Sequence, residues 1–375
     1  MQFRNGIVLN GTNNKFERID LRVANGKIFQ LGVFPVENGD FDCEGNYVIP
    51  GFIDTHIHGS VGVEFASPDE DFSKARKYLA ENGVTGFAAT VRALPIDRSV
   101  AAEKNILREM KREGNGSRVL GINLEGPFVS KAKSGVMNPP DIECNAASAE
   151  ELIKAGDGNL KIMTLAPERE NAEEVIKKCV ENGVNISIGH TDSPFEEADK
   201  AIKAGASRAT HIFNAMKPLT HRDCGVLGAV LTDENVCCEM ICDLVHLDAP
   251  TMKLVLKLKG CENVTLISDT GFMSGLGDGE FVVDGRKRFV KDGVCRNADG
   301  RIAGSCVPMT YGARNLLKLG VPLEEVSVMG SLNPAKALGI DAEYGSLREG
   351  RYADLIVCDK ELNIKAVFVG GERVI

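Results

Sequence analysis

Two histidines spaced i, i+2, with glycine directly after, close the run Pro50-Gly51-Phe52-Ile53-Asp54-Thr55-His56-Ile57-His58-Gly59. On a strand, side chains at i and i+2 share a face. Both imidazoles can therefore address one metal ion from the end of a single strand. The chain holds only 6 His in 375 residues, and the other four also sit beside strand-end or loop signals. Glu125 (Leu124-Glu125-Gly126-Pro127), His190 (Gly189-His190-Thr191-Asp192), His211 after Thr210, and Asp269 after Ser268 each follow an apolar run. Taken singly, each has an ordinary explanation as a turn carboxylate, a packed imidazole or a cap. Together, at five strand ends, they describe a metal site.

Imidazole and carboxylate without thiolate suit zinc, iron(II), cobalt or manganese. Two His and one Glu with an open position is a common catalytic zinc arrangement, which His190, His211 and Glu125 can form. His56, His58 and Asp269 can hold a second ion, with Glu125 bridging. The expected cofactor is thus a divalent metal, zinc first, with one or two ions per subunit. Paired ions activate water, and a carboxylate beside that water takes its proton and returns it to a leaving group. Asp269 is assigned that role.

The rest of the chain must position these groups. A length of 375 residues fits a large domain plus a smaller one. Hydrophobic content of 43% and charged content of 26% are those of a globular protein. A net charge of -9 argues against a nucleic-acid partner, though one placed arginine can still bind an anion. The 11 cysteines show no CxxC spacing and read as reduced thiols. No signal peptide or membrane-length apolar run is visible, so a cytoplasmic protein with no membrane partner is expected.

Apolar strand-like runs end at Asp54 and recur at Val84–Val91, Val119–Leu124, Leu160–Leu165, Val184–Ile188, Arg208–Thr210, Val236–Ile241 and Val264–Ser268. Amphipathic helical stretches such as Asp69–Asn82, Asp97–Glu113, Ala172–Asn182 and Phe195–Ala204 lie between them. This alternation predicts an α/β fold, a (β/α)8 TIM-type barrel over 51–344, with the site at the C-terminal ends of its strands. A doubly wound open sheet is the alternative. Short strands and Asn-Gly or Gly-Gly turns at both chain ends predict a small β-sandwich domain from 1–50 and 345–375. Gly-rich turns, Asp284-Gly285 and Asp292-Gly293 among them, predict a β-hairpin insertion at about 275–297.

Pro50–Gly59 is similar to the strand-one signature of the amidohydrolase superfamily, and Gly345-x-Leu347-x-x-Gly350-x-x-Ala353-Asp354-Leu355 resembles its C-terminal return to the β domain. Within it, Leu124-Glu125-Gly126-Pro127-Phe128, Gly189-His190-Thr191 and His211-Ile212-Phe213-Asn214-Ala215-Met216 resemble the N-acetylglucosamine-6-phosphate deacetylase family. The resemblance implies hydrolysis of the 2-acetamido group of an amino-sugar 6-phosphate, with Asp269 protonating the departing nitrogen. It also implies that Asn214, Ala215 and Arg222 meet the phosphate end; His221 is either a phosphate neighbour or a loop residue. Asp243 and His246 approach the sugar hydroxyls, and Val307, Pro308 and Met309 border the acetyl pocket. A homodimer is the family tendency. Gly135-Val136-Met137-Asn138-Pro139 departs from the family, which usually has a substrate-contacting His at the position of Met137. A thioether cannot donate the hydrogen bond of an imidazole, so another hexosamine, such as N-acetylgalactosamine 6-phosphate, is an alternative substrate. An N-acyl amino acid deacetylase and a non-catalytic sugar-phosphate-binding regulator are the remaining readings.

Overall fold

The computed structural model describes residues 1–283 and 285–375. Asp284, half of the expected Asp284-Gly285 turn, lies outside the described residues. Eight parallel strands follow in sequence order: β1 (Phe52–Ile57), β2 (Val84–Arg92), β3 (Arg118–Glu125), β4 (Leu160–Leu165), β5 (Asn185–Ile188), β6 (Arg208–Ala209), β7 (Cys237–Ile241) and β8 (Val264–Ile267). The last meets the first across a seam. The Asp269 N–H donates to the His56 carbonyl at 2.9 Å, and the His58 N–H donates to the Thr270 carbonyl at 2.8 Å. The Asp54 carboxylate staples the same seam, accepting from the N–H groups of His56 (3.2 Å) and Ser268 (3.3 Å). The result is the expected barrel, not an open sheet.

β1 runs three residues beyond Asp54, so His56 belongs to the strand itself. β5 begins one residue later than its apolar run and β6 ends one residue earlier, and each strand stops two residues before its histidine, His190 or His211.

The helices bury an apolar stripe against the strands. In the helix Ile96–Met110, the buried positions Ser99, Ala102, Glu103, Ile106 and Glu109 recur at helical spacing. Asp97 in its first turn and Arg108 in its last complement the helix dipole. Phe65, Phe72 and Phe87 stack in the layer between strand and helix. One end of the barrel is plugged by Ile53, Ala88 and Ile162 packing on Ala335, Ala337 and Leu338. The Ser331 hydroxyl bonds the Gly51 carbonyl there at 3.0 Å, and the Asn333 amide bonds that of Val264 at 2.7 Å. The opposite end stays open.

Strands from both chain ends pair. Tyr47–Pro50 lies between Ile7–Asn10 and Leu355–Cys358 in a six-stranded sheet. Gln2–Arg4, Asp20–Ala24, Lys27–Gly32 and Phe41–Asp42 form a second sheet. Phe3, Leu21 and Ile28 of one sheet share a core with Val8, Val48, Val357 and Phe368 of the other. The insertion after β8 is larger than the expected hairpin. Four antiparallel strands, β9 (Gly279–Val283), β10 (Arg286–Lys291), β11 (Val294–Asn297) and β12 (Ile302–Ser305), make up a sheet. The turn around Gly300 returns the chain for one strand more than the Gly-Asp signals indicated.

Glu103 is fully buried, and neither of its carboxylate oxygens has a partner among the described residues. Burial pushes its carboxyl up to about 9. The folded chain then keeps a proton that the unfolded chain releases above about 4.3. Stability contributed by the protonated form is complete below that point and is lost as pH rises towards 9. The unfolding free energy of wild type, from denaturant titrations, should fall between pH 5 and 9, by up to about 1.4 kcal/mol per pH unit. Glu103→Gln should flatten that slope; parallel curves would show that Glu103 does not titrate in this range.

Candidate active site

At the open end the strand termini bring the expected groups together. Glu125 ends β3, and its Oε1 lies 2.9 Å from His190 Nε2 and 3.0 Å from His211 Nε2. Those two nitrogens are themselves 3.0 Å apart. His56 Nε2 is 3.4 Å from the same oxygen. Glu125 Oε2 turns the other way, 3.3 Å from His58 Nε2. Asp269 Oδ1 closes the ring, 3.4 Å from His58 and 3.7 Å from His56.

Local backbone geometry aims these groups. His190 (φ 48°), His211 (φ 26°) and Asp269 (φ 50°) all adopt the left-handed region, which costs a non-glycine residue free energy and concentrates at functional sites. Gly189, before His190, passes so close to β6 that an added Cβ would lie 2.5 Å from Thr210 Cβ. Only glycine fits there.

The outer ring nitrogens decide what the inner ones offer. His190 Nδ1 bonds the Lys133 carbonyl at 2.8 Å, and His211 Nδ1 bonds the Asn214 carbonyl at 3.1 Å. His56 Nδ1 bonds the Glu239 carboxylate at 3.0 Å. Each partner accepts, so each Nδ1 carries the proton and each Nε2 presents a lone pair inward. His56 Nε2 is buried without a hydrogen-bond partner among the described residues. Three lone pairs and a carboxylate crowded together repel one another unless a positive charge lies among them.

The electrostatics agree. Burial works against charge on His58, but hydrogen bonds to Asp269 and Glu125, and their charges, raise it to about 9. Burial likewise opposes ionisation of Glu125, yet with protons on the rings in a cation's place, His190 foremost, the surrounding imidazoles hold it well below the usual carboxylate range. Asp269 is held low by His58 and His56 despite its burial. The site favours positive charge, which a divalent cation supplies. Ligand atoms of a tetrahedral zinc site stand roughly 3.3 Å apart, given metal–ligand distances near 2.0–2.1 Å, and the spacings here match. Among the described residues, His56, Glu125 and His211 are close enough to share an ion, as are His56, His58 and Asp269.

Comparison with known proteins gives the family. The amidohydrolase family profile matches residues 47–374. The chain belongs to the amidohydrolase family. It is 33% identical to an N-acetylgalactosamine-6-phosphate deacetylase of Escherichia coli O157:H7, over 94% of this chain and 93% of that one. It is 32% identical to an N-acetylglucosamine-6-phosphate deacetylase of Lysinibacillus sphaericus, over 98% and 96%. A mutant N-acetyl-D-glucosamine-6-phosphate deacetylase of Mycobacterium smegmatis, solved in complex with N-acetyl-D-glucosamine-6-phosphate, superposes with a TM-score of 0.92 at 29% identity, covering 100% of this chain and 99% of that one.

In this amidohydrolase the ligand ring forms the floor of a cavity of about 740 Å³. Val136, Met137, Asn214, Ala215 and His246 line it, as do His58, Glu125, His190, His211 and Asp269. His246 is held by Asp243, whose Oδ2 lies 2.7 Å from its Nδ1. Asp243 is itself outside the lining, as are Val307, Pro308 and Met309; Phe272, Met273 and Ile302–Gly304 stand on that side instead. Arg222 and His221 are exposed on the loop before the helix Gly225–Thr232 and do not line the cavity of their own chain.

Sequence reading missed two groups. One is a basic rim of Arg92, Arg98, Arg286 and Arg288, with Arg92 paired to Glu64 at 3.0 Å. Arg286 and Arg288 alternate on β10, so they share a face, which was the available signal. The other is Glu239, a charge inside the apolar run of β7. Glu125→Gln should lower zinc affinity by more than the 10–100-fold typical of outer-sphere changes, measured by chelator competition. Wild-type affinity would remove Glu125 from the ligand set.

Proposed function

We propose that the protein is a divalent-metal-dependent deacetylase of N-acetyl-D-glucosamine 6-phosphate, releasing acetate and D-glucosamine 6-phosphate. One observation carries the reading: both oxygens of Glu125 engage opposite imidazole sets on the cavity floor, with Asp269 across from them. Glu125, His190 and His211 would hold one ion, and His56, His58 and Asp269 a second, zinc being the first choice. When bound, such ions polarise the amide carbonyl and lower the pKa of water. Asp269, ionised and facing the cavity, takes the proton of the attacking water. It then delivers that proton to the amide nitrogen as the C–N bond breaks. Met137 and Val136 flank the sugar, and His246, oriented by Asp243, donates to a hydroxyl.

Asn214 and Ala215 meet the phosphate end. Arg286 and Arg288 overhang the same cavity, and charge-assisted bonds from them suit a phosphate. Arg222 would reach a phosphate from the neighbouring subunit of a homodimer. The N-acetylgalactosamine-6-phosphate substrate is the second reading, favoured by Met137 at the family's His position and by the Escherichia coli relative.

Acetate release from both sugar phosphates, and from unphosphorylated N-acetylglucosamine, tests the proposal. Turnover should be fastest on N-acetylglucosamine 6-phosphate; a faster galacto epimer would favour the second reading, and no acetate from any would refute both. Asp269→Asn should retain the ion of Glu125, His190 and His211 and lose about 10²–10⁴-fold in kcat. Near-normal kcat would free Asp269 from proton transfer. Removing Arg286 and Arg288 together should raise KM for the phosphorylated sugar about tenfold or more, with little change for the unphosphorylated one. Arg222→Ala, assayed in parallel, shows whether the phosphate is met from within one chain or across a dimer.

A further inference from the structure

The metal-hydrolase reading leaves one buried charge without a task. Glu239 sits on β7, fully buried within the barrel. Its Oε2 is 3.0 Å from His56 Nδ1, and its Oε1 is 3.4 Å from Arg208 Nη2 on β6. Arg208 Nη2 in turn bonds Thr265 Oγ1 on β8 at 3.2 Å. A polar chain thus runs from β8 through β6 and β7 to β1, and it ends on the His56 imidazole. A charged pair inside an apolar barrel is costly to bury, so packing alone gives it no reason to be there.

We infer that Glu239 is a positioning residue that fixes His56 for a second cation beside His58 and Asp269. The inference rests on the metal-site reading above. His190 and His211 turn their outer nitrogens to backbone carbonyls, which no substitution of those partners' side chains alters. His56 alone among the three depends on a side-chain carboxylate, and a carboxylate behind a ligating imidazole fixes its tautomer and raises its basicity. Glu239 holds the proton on Nδ1. Nε2, buried and unpartnered, is thereby kept bare towards Glu125 and Asp269. Arg208 keeps Glu239 turned to this task.

The two sites therefore depend on Glu239 unequally. The full-length apoprotein is titrated with Zn²⁺ against a chelator, and bound zinc is counted by mass spectrometry. Wild type should bind two equivalents. Glu239→Gln should leave the first association constant unchanged and weaken the second by 10–100-fold. Because Glu239→Gln strands the buried Arg208, the double variant Glu239→Gln with Arg208→Met is measured beside it. It removes both charges and should show the same split with a wild-type melting temperature. A merely structural role would move both constants or neither. Two equivalents of unchanged affinity in the double variant would overturn the inference, as would a single equivalent in wild type. Zinc counts decide this whether or not acetate is released, so failure of the assigned substrate is read separately, from the acetate assay.

Discussion

The structure depends on convergence of three imidazole Nε2 atoms on one oxygen of a carboxylate whose other oxygen faces a fourth imidazole. Such a set is unstable by itself. Lone pairs facing one another at 3.0 Å repel, and a buried carboxylate needs compensating charge. The remainder of the molecule holds this arrangement against its own repulsion. It does so from outside, by hydrogen bonds to the far nitrogens of the rings, so that the near nitrogens have nothing left to offer but lone pairs.

The barrel makes that possible because its strands end on one rim. Five segments contribute: β1 brings His56 and His58, β3 brings Glu125, and His190, His211 and Asp269 follow β5, β6 and β8. Closure matters as much as order. Asp269 faces the imidazoles of β1 only because β8 returns to β1, and the Asp54 carboxylate ties the two backbones there. Left-handed backbone at His190, His211 and Asp269 turns each side chain from strand direction towards the axis. The cost of those conformations is offset by the packing of the layers around them.

Above the floor, the cavity is chemically divided. One side is apolar, with Met137, Phe272 and Met273; the rim carries arginines in a chain of net charge -9. The insertion β9–β12 provides part of both. Its apolar face, Val290, Cys295 and Ala303, packs with Met273 and Val136, and Arg286 bonds the Val136 carbonyl at 3.4 Å. The segment around Met137 is therefore held by the insertion, and variation in either would change the shape offered to a sugar.

Residue type and spacing pointed in advance to the barrel, the family and the residues that gather at its rim. Apolar runs punctuated by glycine specify strands, and a histidine or carboxylate directly after such a run is placed at a rim. The shorter signals of the insertion were legible only in part, since a turn such as that at Gly300 carries little pattern. Contacts across the barrel were not legible at all. Nothing local marks Glu239 as the partner of His56, 183 residues away, or tells that Arg286 reaches the cavity while Arg222 stays outside it. Sequence determined which side chains could bind a cation, because that is a property of their chemistry and of strand periodicity. Only the closed tertiary structure decided which of them meet, because distance across a barrel is fixed by strand order and closure, which no short stretch of chain records.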